Sequence, residues 1–290
     1  MIKRSVGDKL FSLSLLFPAF VITTLFILVP VIDSVYISFL DFRMRNIITG
    51  EPGVWNNFEN YIRLFQSGRL LPAINITFTF VIFVVVIQFV VGMILALVLN
   101  SNVKGARLLR SLMMMPWVVP TIVSALIWMW MFQPSFGLVR FFTGLAVLNN
   151  PNTAIYGVAI AALWKQIPLS TLLFLAALQN VPDDILEASK IDGANAVTRF
   201  FRIVLPYMKS VIKVSVSLSI IDNFRQFPLV WIMTGGGPMH STTTLAVLSF
   251  REAFVSNNLG SGAAVTTIWM LIMIVVVLIY NRFMKLESMD

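Results

Sequence analysis

The chain has 290 residues, is 58% hydrophobic and only 12% charged, and has a mean hydropathy of +0.87. A soluble domain of this length would carry about twice that charge fraction, so composition points to a polytopic membrane protein. With no cysteine and one histidine, His240, in a Gly/Ser/Thr-rich stretch, disulfides, iron–sulfur clusters and thiolate or histidine metal centres are excluded, and the formal charge of +8 comes without the basic block that nucleic-acid binding would need.

A bilayer-spanning helix needs roughly 20 mostly apolar residues, because its peptide groups must bond internally across about 30 Å of hydrocarbon. Six windows qualify, at about 10–32, 73–99, 111–133, 153–179, 211–233 and 261–281. The first follows Met1-Ile-Lys-Arg, but it is too long for a signal-peptide core and ends VPVIDSVY without a small-x-small cleavage site. It is read as a retained span. Gln88 falls near the middle of span two, and Lys165 and Gln166 at the middle of span four.

Between spans four and five the chain changes character. Residues 187–206 read EASKIDGANAVTRFFRIVLP. A first helix is expected to open at Pro182, with Asp183 and Asp184 at the positive end of its dipole. Gly193 stands where that helix would stop in a left-handed turn. A second helix, from about Ala194 to Val204, puts Ala194, Val197, Phe201 and Val204 on one side, and Pro206 marks its end. Residue chemistry alone leaves two readings: a hairpin lying on the membrane surface, or an elbow gripped by a partner.

In span five, at about 100° per residue, Ser215, Ser219, Asp222 and Gln226 lie within roughly 60° of each other, with Arg225 beside them and Asn223 on the other flank. Polar groups inside spans are costly and usually face a cavity or a partner. Ser219, Asp222, Asn223, Arg225 and Gln226, with Lys165 and Gln166, are therefore the candidate solute-binding set at the membrane midplane. The competing reading is an Asp222–Arg225 pair at i,i+3 held for packing alone. Trp164, Phe224, Trp231 and Trp269 could stack on the ring faces of a solute or serve as ordinary helix and lipid contacts.

Loop charge sets the orientation. With the N-terminus inside, the inner segments hold thirteen cations: Lys3, Arg4 and Lys9; Lys104, Arg107 and Arg110; Lys190, Arg199, Arg202, Lys209 and Lys213; Arg282 and Lys285. The outer segments hold six: Arg43, Arg45, Arg63, Arg69, Arg140 and Arg251. Both termini are expected in the cytoplasm, and the same asymmetry accounts for the basic charge.

The 187–206 segment resembles the Glu-Ala-Ala loop of ATP-binding-cassette importer permeases. Glu187, Ala188, Asp192, Gly193, Ala194, Phe200, Ile203, Leu205 and Pro206 fall in step with it, while Ser189 replaces the second alanine and Ser210 stands where a proline often follows. Other segments are similar to carbohydrate permeases: FENYIRLF at 58–65, Asn75 and Thr77 opening span two, G-x-R-x-x-R at 105–110, and Pro116 and Pro120 in span three. TGGGP at 234–238, followed by Thr242–Thr244, resembles the first, maltose-transporter-type subunit of a heterodimeric carbohydrate permease.

The resemblance implies an all-α membrane protein of the type I importer permease fold, with six transmembrane helices in one domain over 1–290 and a coupling loop at about 181–206. It implies a bacterial or archaeal inner-membrane location. The implied partners are a second permease subunit, two cytoplasmic ATPase subunits that bind ATP and Mg, and an extracytoplasmic solute-binding protein. Glu187, Ala188, Asp192, Gly193, Ala194, Arg199 and Phe200 would couple to an ATPase, and the solute would be a carbohydrate.

This chain itself is not expected to hydrolyse ATP. Gly235-Gly236-Gly237 is followed by Pro-Met-His, with no Lys to hold phosphates. A secondary transporter would explain spans and midplane charges but not the elbow, and a structural membrane subunit would leave the polar cluster idle. If Lys165, Arg225 and Asp222 share one cavity, one cation is left uncompensated, which extends the expected solutes to sugars bearing a carboxylate, sulfonate or phosphate.

Overall fold

The computed structural model describes residues 6–101 and 105–284, with side chains described from Ser14 onward. Lys3, Arg4, Lys104 and Lys285, which enter the charge asymmetry, lie outside the described residues, and Lys9 is described by its backbone alone. In chain order the helices are α1 (Val6–Thr23), a π turn (Thr24–Leu28), α2 (Val29–Ile37), α3 (Met44–Thr49), α4 (Glu59–Gln66), α5 (Leu70–Asn100), α6 (Ala106–Val118), α7 (Thr121–Met131), α8 (Leu138–Thr143) and α9 (Ala154–Gln179). There follow α10 (Asp183–Ile191), α11 (Ala196–Arg199), a π turn (Phe200–Val204), α12 (Leu205–Tyr207), α13 (Lys209–Phe224), α14 (Pro228–Thr234), α15 (Leu245–Phe250), a π turn (Arg251–Val255) and α16 (Leu259–Phe283). Two short strands, β1 (Leu40–Asp41) and β2 (Val54–Trp55), pair antiparallel.

Among the described residues, four uninterrupted helical stretches are long and apolar enough to cross a membrane: Ser14–Ile37, Leu70–Asn100, Ala154–Gln179 and Leu259–Phe283. Two bent pairs raise the number to as many as six. Here the structure departs from the hydropathy windows. The 111–133 stretch is not one rod: α6 and α7 meet at 95°. Val119 is extended (φ −62°, ψ 131°) because the ring of Pro120 disfavours the helical conformation in the residue before it. The 211–233 stretch is not one rod either: the second bent pair is Ala196–Tyr207 with Lys209–Phe224, at 71°, and α13 stops at Phe224 before Pro228 opens α14. A hydropathy window measures length and composition, and neither break alters those.

The chain divides into two compact units. One comprises residues 1–69 and 248–269. Its first helical stretch has no buried residue in its most apolar window, so its surface is left to lipid or to another subunit. The rest is tied by polar groups. Asn60, in the FENYIRLF motif, donates from Nδ2 to the carbonyls of Ser38 and Leu40, at 2.8 Å each. Gly260 N donates to Phe42 O at 2.8 Å, and a Cβ on Gly260 would stand 2.2 Å from Leu40 O, so only glycine lets the backbones meet. Arg69 pairs at 2.9 Å with the buried Glu252, which also accepts from Ser261 Oγ at 3.0 Å.

The second unit, residues 70–247 and 270–290, is built on α5 lying along α9. Small residues of α9, among them Ala159, Ala161, Ala162, Ser170 and Thr171, are buried and let neighbouring helices approach. α7 packs against α14. A cluster of Met93, Ala96, Leu99, Phe174, Leu178, Val204 and Met208 closes one end of this core. Thr77 Oγ1 accepts from Leu245 N at 2.9 Å and so ties the start of α5 to the end of the TGGGP loop. That loop closes on itself: Thr242 Oγ1 donates to Gly237 O at 2.8 Å, and Thr243 Oγ1 to Gly236 O at 3.0 Å.

Candidate functional site

The elbow is built by two capping motifs back to back. At the end of α10, Gly193 has φ +76°. Gly193 N donates to Lys190 O at 3.1 Å and Ala194 N to Ser189 O at 3.0 Å. These are the paired bonds of a Schellman stop, which satisfy helix-end carbonyls and need a left-handed residue at the glycine position. Two residues later Asn195 caps the next helix, its Oδ1 accepting from Thr198 N at 2.8 Å. Apolar spacing places the start of the second helix at Ala194, but it starts after the Asn195 cap, and the signal for this is an Asn ahead of an apolar helical run. Ser189, the departure from the second alanine, is buried, and its Oγ donates to Leu186 O at 2.7 Å.

Of the coupling candidates, Glu187, Ala188, Asp192 and Gly193 are exposed, while Ala194, Arg199 and Phe200 are half-buried. The expected apolar side of the second helix is divided. Val204 is buried, whereas Val197 and Phe201 are 65% and 61% exposed. Ile191 at the tip is 86% exposed. Beneath the elbow lies a cavity of about 460 Å³, lined by Leu97, Leu178, Leu186, Val197, Phe200 and Phe201 among others. The elbow is thus anchored through Val204 and Met208 and presents apolar residues outward.

The midplane candidates separate into two groups. Ser215, Ser219 and Asn223 are buried, while Asp222 and Arg225 are each more than half exposed and pair with each other at 2.8 Å. Helical spacing alone sets the inward face between Ser215 and Asp222, with Asn223 on a flank. The buried arc is instead centred on Ser219. That rotation takes Asn223 inside and leaves Asp222 at the exposed edge. Arg225 caps α13, and Gln226, half-buried, lies beyond the helix, so helical angles do not apply to it.

Ser219 and Asn223, joined by a bond from Asn223 Nδ2 to Ser219 O at 2.9 Å, link three helices through hydrogen bonds. Ser219 Oγ donates to Gln88 Oε1 at 2.6 Å. Asn223 Nδ2 donates to Gln166 Oε1 at 2.9 Å, and Gln166 Nε2 returns a bond to Asn223 Oδ1 at 3.1 Å. Lys165 is engaged elsewhere: its Nζ donates to Trp117 O at 3.1 Å and to Val119 O. Lys165, Arg225 and Asp222 therefore do not form one hydrogen-bonded cluster. Lys165 sits on the carbonyls that end α6, and Arg225 has Asp222. Trp164 packs edge-on to Trp128, and Phe224 to Phe78, as ordinary helix contacts.

Comparison with known proteins agrees with this architecture. The family model described as "Binding-protein-dependent transport system inner membrane component" matches residues 88–286. The chain is 33% identical to the trehalose/maltose transport system permease protein MalF of Thermococcus litoralis, covering 92% of this chain and 91% of that protein. It is 35% identical to the sn-glycerol-3-phosphate transport system permease protein UgpA of Yersinia pestis (93% and 92% covered), and 31% identical to the sulfoquinovosyl glycerol transport system permease protein SmoG of Agrobacterium fabrum (98% and 93%). Among solved structures, a chain of a bacterial ABC transporter that imports the acidic polysaccharide alginate superposes with a TM-score of 0.80, at 20% identity and 96% coverage of both chains. Helices able to span a membrane, the anchored elbow and matches along nearly the whole chain lead to one conclusion: this protein belongs to the family of binding-protein-dependent transport system inner membrane components, and is a multi-pass permease subunit of an ATP-binding-cassette importer.

Proposed function

We propose that the chain forms half of a carbohydrate path across the membrane, with a second permease subunit as the other half. An extracytoplasmic binding protein delivers the solute, and two ATPase subunits, holding ATP and Mg, drive the cycle. The observation that carries this reading is the elbow. Residues 183–207 leave the core as two helices fixed by a Schellman turn and an Asn cap, and are rooted by Val204 and Met208. An element held at its base, with Glu187, Asp192, Ile191 and Val197 exposed, can transmit a push from a partner. Glu187, Ala188, Asp192, Gly193, Ala194, Arg199 and Phe200 are assigned to that contact.

The exposed Asp222–Arg225 pair supports a path on the same unit. Asp222 adjoins Asn223, which bonds Gln166 at the midpoint of α9. A helix of 26 residues is about 39 Å long, so its midpoint lies at mid-membrane depth. Each charged group there costs about 2.5–3.5 kcal/mol against lipid, so the pair is covered by water or by the second permease. Asp222, Arg225 and Gln226 are assigned to the solute, with Ser219, Asn223, Gln166 and Lys165 holding the spans behind them. The named relatives carry sugars and glycerol derivatives, neutral and anionic, and a carbohydrate or a polyol derivative is the solute class proposed here. Reconstitution with the partner subunits tests this. ATP-dependent uptake of a neutral or anionic sugar is expected, and uptake by the chain without ATPases would instead mark a secondary transporter.

A further inference from the structure

Two consecutive residues of α9 reach the C-terminal ends of two helices, α6 and α13. Lys165 donates to the carbonyls of Trp117 and Val119, at the end of α6. Those carbonyls are free because the chain turns 95° there into α7. A helix C-terminus carries the negative end of its dipole, and an ammonium suits it. Gln166 exchanges two hydrogen bonds with Asn223, two residues before α13 ends in Arg225. Asn223 also caps its own helix end: its carbonyl accepts from Gln226 N at 3.2 Å. Beyond the two breaks lie α7 and α14, which pack on each other.

We propose that Lys165 and Gln166 are positioning residues for transport: a two-point clamp on α9 that holds the α6–α7 bend and the C-terminal end of α13, and with them the α7–α14 pair, in register. The physical case rests on what each contact replaces. Carbonyls released at a bend inside a membrane find no water in hydrocarbon and must be satisfied by protein. Lys165 supplies two donors from one flexible stem, so it can follow the α6 end through a small change of angle without leaving it. The Gln166–Asn223 amide pair is planar and reciprocal. It fixes the end of α13 in one orientation, and a change of that orientation breaks both bonds together. One contact yields and the other latches, on adjacent residues of a helix that is itself buried on most sides. The α7–α14 pair then moves as a piece relative to α6 and α13, and the clamp sets how freely. This rests on the transport reading above, and the test below separates the two.

The chain has no cysteine, so pairs of introduced cysteines can be spin-labelled without background. Leu109 on α6 and Ile127 on α7 are both exposed and report the span-three bend. Leu218 on α13 with Ile127 reports the outer pair against span five. In the assembled, nanodisc-embedded transporter, Lys165→Met is expected to broaden the 109–127 distance distribution, and Lys165→Arg, which keeps several donors, to restore it. Gln166→Leu is expected to broaden the 218–127 distribution while leaving 109–127 narrow. ATP hydrolysis in the absence of solute should rise about fivefold or more in Lys165→Met and Gln166→Leu and return to the wild-type level in Lys165→Arg, a coupling effect of ordinary allosteric size. A merely structural role would lower the yield of every variant without this pattern of rescue. Unchanged distributions and unchanged solute-independent hydrolysis in Lys165→Met overturn the clamp; if that variant is not recovered from the membrane, the same result in Gln166→Leu does so. Failure of the wild-type complex to couple hydrolysis to any solute would sink the transport reading, but the distance measurements would still decide whether the clamp holds the α6–α7 bend and the end of α13.

Discussion

At the scale of single residues, two glycines show how one substitution type fails for two reasons. Gly193 has φ +76° and open space where a Cβ would go. Valine there meets no neighbour, but a β-branched residue in the left-handed region is strained by about 1–3 kcal/mol. Gly193→Val is therefore expected to insert normally and to lose most solute uptake, because the turn that orients α11 relaxes. Gly193→Asn, which tolerates that region, should retain most of it. Uptake alongside co-purification of the ATPases checks this, and normal values of both in the valine variant would remove the mechanical role. Gly260 is the opposite case. Its φ is unremarkable, but a Cβ would lie 2.2 Å from Leu40 O and 2.8 Å from Asn60 Nδ2. Gly260→Ala must push apart the backbone contact that the FENYIRLF motif secures, at a cost of about 1–3 kcal/mol or more. A lowered melting temperature of the detergent-solubilised chain is the expected readout.

At the scale of elements, prolines and caps decide where helices bend. Two π turns share one arrangement: Thr24–Leu28 is followed by Pro30, and Phe200–Val204 by Pro206, each two residues after the turn. A proline cannot donate to the carbonyl four residues back and its ring crowds that carbonyl. The wider turn makes room, with Val29 N reaching Thr24 O and Leu205 N reaching Phe200 O. The prolines were visible in the sequence, but whether a helix would break, kink or widen at them was not. Pro120 breaks a span, whereas Pro168 lies inside an unbroken α9. Asn195 offers a cleaner test. Its cap on the second elbow helix is worth about 1 kcal/mol. In Asn195→Ala, amide exchange at Ala196–Phe200 should therefore quicken roughly fivefold, with α10 unaffected. Equal protection in variant and parent would show that packing through Val204, not the cap, starts that helix.

At the scale of the whole molecule, the amino-acid sequence made four of the apolar spans, the elbow and its glycine legible, because length, periodicity and turn chemistry are local. It did not show the partner of Lys165, whose acceptors Trp117 and Val119 lie 48 and 46 positions away. Nor could it set the rotation of α13. Polar residues on three sides of that helix leave its inward face undetermined until Gln88 and Gln166 are seen to meet Ser219 and Asn223. Reporter fusions test the orientation set by loop charge: cytoplasmic signals are expected at Lys104, Lys190 and Lys285 and external ones at Glu59, Asn149 and His240, and one exchanged loop would break the six-span arrangement. The exposed Asp222–Arg225 pair allows a sharper test of where the solute runs. Arg225→Gln leaves a lone carboxylate at mid-depth, and Asp222→Asn a lone guanidinium. Either variant is expected to reduce the amount of assembled complex, since an unpaired charge there costs about 2.5–3.5 kcal/mol. The double variant, Asp222→Asn with Arg225→Gln, removes both charges, and assembly should recover. If the pair only glues this chain to the second permease, transport recovers with it. If the pair faces the solute, as proposed, the double variant assembles and docks its ATPases but takes up solute at least tenfold more slowly, the loss expected when roughly 1.4 kcal/mol or more of differential contact is removed. Full uptake by a fully assembled double variant would move the path to another face of the protein.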